Sequence, residues 1–284
     1  MCNLYSQTKT QDAMRHVFDV VEDDTGNLPP MPGIFPDYPA PIVTLGPQGR
    51  RLSMARWGMP TPPQFLAGKR TDPGVTNIRN TASPHWRRWL GVAHRCLVPF
   101  TSFSEIDTRQ GAPRNHPVWF ALGADRPQAC FAGLWTEWTS TRKLKEGEVT
   151  VPCFGFLTCE PNREVGRVHP KAMPVILTRP DEWEQWLTAP TPRALELQRP
   201  LPDHHHPQRA PGLGRQLQPP PGGQAKGLFR LGQNHAHLGA AQRLFHGPQK
   251  IGLAARAHQM QPVSQPLGQA PQHRAFGLMR RQNP

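Results

Sequence analysis

The chain has 284 residues, a formal net charge of +13 and a pI near 10.4, which is room for one large domain or two small ones. It has no apolar run of the ~18 residues a membrane span needs, and its polar start, with Asp12, Asp19 and Glu22, is unlike a signal peptide. Five cysteines without a CxxC pair (Cys2, Cys96, Cys130, Cys153 and Cys159) form neither a disulfide framework nor a zinc ribbon.

In chain order, Thr8 to Gln11 has the S/T-x-x-Q form of a capping box, with Met14, Val17, Phe18 and Val21 at i, i+3, i+4, i+7 behind it. That spacing predicts a helix with one buried stripe, holding the N-terminus close to the domain. Residues 26–40 read as a proline-rich loop. PIVTL (41–45) and RLSMARW (51–57) read as strands around a GPQG turn. Ser83-Pro84 predicts a helix start, with Trp86 and Trp89 following. The runs 96–103, 117–123, 129–138 and 149–159 are apolar and β-rich, so Cys96, Cys130, Cys153 and Cys159 read as small core residues. A reducing compartment fits that cysteine usage. MPVILT (173–178) is a further strand. Thr178 and Asp181 suggest a capped helix whose apolar face is Trp183, Trp186 and Leu187. Short strands, few helices and no βαβ alternation predict an α+β domain of mainly antiparallel sheet with flanking helices.

Charge sets a boundary. All 20 acidic residues lie in 1–203 beside 23 Lys and Arg, a net +3, whereas 204–284 hold ten Lys and Arg and no acid. This second segment opens on His204 to His206 and is dense in Gln, Pro, His and Gly. Its composition predicts a disordered tail behind a 1–203 domain. So abrupt a shift is what a frame slip after an ordinary C-terminus would produce. A native basic tail that binds nucleic acid is the alternative.

Several residues could carry chemistry. Between 50 and 95, Arg50, Arg51, Arg56, Lys69, Arg70, Arg79, Arg87, Arg88 and Arg95 stand against Asp72 alone, interleaved with Trp57, Trp86 and Trp89. Cations beside aromatic platforms suit single-stranded nucleic acid, and a solvated basic face over core tryptophans would look the same. Asn77 next to Arg79 in a polar loop could orient a phosphate or sugar, or complete a turn. Glu105, at the end of an apolar run, could be desolvated and suited to proton transfer, or be an ordinary strand-end acid. His169 in RVHPKAMPVIL could be catalytic or structural. The tail histidines have no partners at metal-ligand spacing. Cys2 alone is either a tolerated small residue or, if Met1 is trimmed, an aminothiol.

Together, MCNLYS, the N-x-R loop at Asn77 and Arg79, C-L-V-P-x-x-x-F-x-E (Cys96 to Glu105), F-A-G-L-W (131–135) and H-P-K-A-M-P-V-I-L (169–177) resemble the SOS response-associated peptidase (SRAP) family over about residues 2–190. The resemblance implies a SRAP-like fold, loss of Met1, and covalent capture of abasic sites in single-stranded DNA by Cys2, with Asn77, Glu105 and His169 assisting. It also implies a lyase-like enzyme with autoproteolytic character, without metal or cofactor, acting as a monomer away from membranes. Its setting would be the cytoplasm, nucleoid-associated in a bacterium. Arg79 would bind backbone phosphate; Trp57, Arg87 and Arg88 are further candidate DNA contacts on the strength of the basic, aromatic run of 50–95 rather than of the resemblance. The chain departs from the common pattern at Asn3, Leu4, Thr81, Ile106 and Lys171, which bear on DNA grip more than on chemistry.

The chemistry suits these residue types. A free α-amine, with a pKa of about 7.7–8.0, attacks the aldehyde of an opened abasic sugar, and the adjacent thiol, near 8.5, closes a thiazolidine on the imine carbon. Two other readings remain at this level. One is an N-terminal-nucleophile or thiol hydrolase built on Cys2, His169 and Glu105. The other is a non-catalytic single-strand binder.

Overall fold

The computed structural model describes residues 2–202 and 208–209. The frame-slip and disorder expectations for 204–284 therefore lie outside the described residues, except for the backbone at 208–209.

The first elements are β1 (Leu4–Gln7), α1 (Gln11–Val17), β2 (Val20–Asp23) and β3 (Met31–Ile34). A hairpin of β4 (Pro39–Gly46) and β5 (Gly49–Trp57) follows, then the short β6 (Asn77–Ile78) and α2 (Pro84–Arg87). Next come β7 (Arg95–Phe100), β8 (Ser102–Ile106), β9 (Pro117–Ala121), β10 (Ala129–Thr141) and β11 (Glu148–Cys159). The chain continues with α3 (Arg163–Gly166), β12 (Met173–Pro174), β13 (Ile176–Leu177), α4 (Pro180–Thr188), α5 (Thr191–Leu195) and β14 (Gln208–Arg209).

The architecture is α+β, built from two sheets. In the larger one, β11, β10, β7, β4 and β5 are neighbours in that order, each pair antiparallel. β5 then returns to β11 in parallel, Arg56 opposite Cys153 and Trp57 opposite Phe154, and this pairing closes a barrel. The smaller sheet runs β14-β9-β8-β1-β3. Ala129–Leu134 of β10 is buried on both faces, so its sequence is an unbroken apolar run; past Trp135 the strand emerges and alternates. The barrel interior is aromatic. Phe131 stacks on Phe100 at 4.0 Å between centroids and meets Phe156 at 4.5 Å, and Tyr5 of the smaller sheet packs edge-on against Trp57 at 5.1 Å. Such pairs add to area burial and fix orientation. The four internal cysteines are buried and free.

Local expectations needed five corrections. The cap of α1 is Thr10, whose hydroxyl accepts from Ala13 N at 3.2 Å, because Gln11 is engaged elsewhere, with Asp23, Thr25 and Leu28 N. The helix stops at Val17; Asp19 takes φ 48° and reverses the chain, so Val21 lies in β2 and is 60% exposed while Met14 and Phe18 are buried. The run 96–103 is two strands in different sheets, turned at Thr101, whose N–H and hydroxyl both donate to Ser6 O. The 173–178 run breaks at Val175, whose N–H bonds Leu157 O at 2.9 Å while its carbonyl accepts from Ala132 N at 3.0 Å. At α4, Arg179 is the cap position, and Glu182 rather than Asp181 accepts from Thr178 N, at 2.9 Å. Among the described residues, no helix is long and apolar enough to cross a membrane.

Candidate active site

Asn77 reaches the site on β6, which lies parallel to β11 with Asn77 opposite Phe156. That approach needs Gly155: a Cβ there would come within 2.9 Å of Val75 O and 3.3 Å of Thr76 O. Phe156 N (3.3 Å) and the Trp57 indole N–H (3.1 Å) both donate to Thr76 O, pinning the chain just before Asn77. The Asn77 side chain is buried. Its Nδ2 donates to Cys2 O at 2.9 Å and to Thr76 Oγ1 at 2.8 Å. Its Oδ1 is buried and accepts no hydrogen bond among the described residues.

Cys2 is delivered by β1, which pairs with β8 (Leu4 opposite Ser104, Tyr5 opposite Phe103) on one side and with β3 on the other. The thiol lies 3.5 Å from Leu4 O and is wholly buried. Burial pushes its pKa far up, and the nearby Glu105 charge adds to this. In this state Cys2 is a thiol, not a thiolate.

Glu105 comes from the end of β8 and is 1% exposed. Desolvation raises its carboxyl to about 7, so near neutral pH it exists in both forms. His169 sits between α3 and β12, with its backbone N–H donating to Val165 O at 2.8 Å. The N–H and hydroxyl of Thr108 both bond Val168 O at 3.0 Å, tying the His169 loop to the chain just after β8. Its Nε2 stands 3.9 Å from a Glu105 carboxylate oxygen, and burial holds the imidazole below its ordinary pKa. Positions 2, 77, 105 and 169 thus converge as thiol, amide, titrating carboxyl and neutral imidazole. Such a group can move protons beside a sulfur nucleophile.

The DNA-contact candidates are arranged differently. Arg79 follows the site on the strand side and is ion-paired with Glu160. Its carbonyl accepts from Gln198 Nε2 at 2.8 Å, and Gln198 Oε1 accepts from the Thr81 hydroxyl at 2.9 Å. Trp57 is 1% exposed, edged by Tyr5 and stacked on Phe156 at 5.2 Å. It is a core residue under the site, with no face free for a base. Arg87 and Arg88 are exposed at the end of α2, with the Arg88 guanidinium 4.2 Å over the Trp89 ring. They lie outside the hydrogen-bonded cluster, on a surface underlain by the buried Trp86 and Trp89.

The basic run of 50–95 is largely neutralised by acids distant in sequence. Arg50 pairs with Glu184 and Asp19, Arg51 with Asp24, and Arg56 with Asp37 and Glu146. Arg95 is buried among the carbonyls of Leu90, Trp186 and Ala189. Among the described residues, Lys69, Arg70, Arg87 and Arg88 have no ion-pair partner. Thr76, Glu160 and Gln198 carry no motif of their own in the sequence. Thr76 was visible only as a hydroxyl beside Asn77, and the other two had no local signal. Among the described residues, no group of three His, Cys, Asp or Glu is placed to hold a metal ion.

A family model described as SOS response associated peptidase (SRAP) matches residues 1–209. A search of curated proteins returns no match. Among solved structures, a protein of Bordetella bronchiseptica is 26% identical with a TM-score of 0.55, over 72% of this chain and 96% of its own. A protein of Bacteroides thetaiotaomicron is 19% identical with a TM-score of 0.53, over 72% and 89%, a likeness of fold alone. With a family match that spans most of its length and includes all four clustered residues, the chain belongs to the SRAP family.

Proposed function

We propose that the chain, once Met1 is removed, forms a covalent thiazolidine between Cys2 and the ring-opened sugar of an abasic site in single-stranded DNA, shielding the lesion during the DNA damage response. The observation that carries this reading is the 2.9 Å hydrogen bond from Asn77 Nδ2 to Cys2 O, made beside a carboxyl that titrates near 7. In the first step the Cys2 amine attacks the sugar aldehyde, and one water leaves as the imine forms. In the second the sulfur bonds to the imine carbon and the thiol proton passes to the nitrogen. Glu105 in its acid form protonates the departing oxygen, and its carboxylate form takes up the proton released by the amine. His169 is neutral at working pH and assists opening of the sugar. The open acceptor Oδ1 of Asn77 suits a sugar hydroxyl or the amine itself.

Cys2 is wholly buried in the intact chain, so its amine and thiol must first be exposed, by loss of Met1 or by opening of the N-terminal segment. Arg79 is the cation for the phosphate next to the lesion, which would displace Glu160. Arg87 and Arg88 serve phosphates farther along. The word peptidase in the family description favours a second reading, hydrolysis of a peptide by the same Cys2, Glu105 and His169. Turnover of a separate peptide would support it.

Intact-mass analysis after mixing the protein with abasic single-stranded DNA tests the proposal. The expected species is the chain without Met1 plus the DNA strand less one water. Cys2→Ala should give no adduct that survives denaturation. A persistent adduct in that variant would sink the mechanism.

A further inference from the structure

Asn77 is held to Cys2 by one half of its amide only. The other Nδ2 hydrogen goes to Thr76 Oγ1 at 2.8 Å. Cys2 O can only accept, so Nδ2 must face it, and a primary amide has two hydrogens to give. The Thr76 hydroxyl takes the second. This fixes rotation about the last side-chain torsion, an sp³–sp² torsion that is otherwise broad. Oδ1 is thereby directed away from both partners and is left as a buried acceptor with no hydrogen bond among the described residues. Thr76 can act as this stop because its own backbone is fixed: Trp57 Nε1 and Phe156 N both bond its carbonyl.

The geometry points to Thr76 as a positioning residue whose hydroxyl sets the orientation of the Asn77 amide between Cys2 and the bound sugar. This rests on the function proposed above, extending it to a residue that touches neither sulfur nor DNA. Removing the hydroxyl leaves Nδ2 its bond to Cys2 O but frees the amide to swing, so Oδ1 spends less time where a ligand donor needs it. The loss falls on the reacting step, not on DNA affinity, because Thr76 contributes no charge to the phosphate path.

The test compares Thr76→Val, which keeps the branched shape, with Thr76→Ser, which keeps the hydroxyl. With abasic single-stranded DNA, the Val variant should crosslink about tenfold more slowly at saturating DNA. Its half-saturating DNA concentration should be unchanged, and the Ser variant should come within about twofold of wild type. If Val disturbs folding, Thr76→Ala replaces it in the same comparison. A second measurement does not depend on crosslinking. In ¹⁵N NMR, both Asn77 side-chain amide protons of the wild type should be protected from solvent exchange, and in the Val variant one should lose protection. A Val variant that crosslinks at the wild-type rate, or a folded Ser variant that fails to recover, overturns the positioning role. If wild type itself forms no adduct, the proposed function fails, and the exchange of the amide protons decides whether Thr76 holds Asn77.

Discussion

Glu105 is a carboxyl that desolvation keeps protonated up to about 7, whereas an unfolded chain releases that proton near 4.3. Between those values the folded state holds a proton that the unfolded state has lost. Its contribution to stability is therefore full below the lower value, declines as pH rises, and is gone above about 7. Over that window it is worth on the order of 3 kcal/mol. Glu105→Gln removes the dependence. In paired denaturant melts the Gln variant should gain stability relative to wild type as pH is raised from about 4 to 8; parallel curves would show that the carboxyl titrates normally. His169 works in the opposite sense, since its preference for the neutral form is lost as pH falls, but both proteins share it. The same titration shapes the rate. The neutral amine increases towards pH 8 while the acid form of Glu105 declines above 7, so crosslinking should peak between about pH 7 and 8. Without the carboxyl the alkaline limb should flatten.

At the scale of elements, the site depends on β6 lying against β11 with no side chain between them. Gly155→Ala would set a methyl 2.9 Å from Val75 O, where backbone rather than a flexible side-chain end must yield. Overpacking of this kind costs about 1–3 kcal/mol. Because the displaced strand carries Asn77, crosslinking should fall by more than the stability loss accounts for. Thermal melts and adduct rates measured on one preparation check this, and an unaffected rate in a destabilised protein would detach β6 from the chemistry. Gly155 had no special signal in the run VTVPCFGFLTC, because what it admits comes from a strand some 80 residues earlier. The same limit explains the other local misses. CLVPFTSF reads as one strand because its apolar content is continuous; the turn at Thr101 is set by hydrogen bonds to Ser6, which local pattern does not contain. The hairpin β4–β5 was readable because its turn and its pairing are both local.

At the scale of the whole molecule, the barrel-closing contact between β5 and β11 is a parallel pairing of distant strands, and it sets Trp57 under Thr76. No periodicity in the chain announces it. The candidate residues 2, 77, 105 and 169 were therefore legible through a family resemblance, while Trp57 was misread because a tryptophan between arginines looks the same in sequence whether it is a platform or a core residue. Charge is subject to the same limit: Arg50, Arg51, Arg56 and Arg79 meet acids drawn from across 19–184, so the domain's positive field is smaller than the local sequence suggests. Most of the formal +13 lies instead beyond residue 203. A chain ending at Arg209 keeps the family match, β14 against β9, and all four clustered residues, while losing nine Lys and Arg. It should form the abasic adduct at low salt at about the full-length rate, since no group of the proposed chemistry is lost. If the basic tail touches DNA, full-length protein should bind intact single strands with the steeper salt dependence, each phosphate contact adding about 0.7 to the logarithmic slope. Fluorescence anisotropy across a salt series reads this difference directly. Equal slopes would leave the tail without a part in DNA binding, whereas a folded 1–209 chain that forms no adduct would place an essential group beyond residue 209.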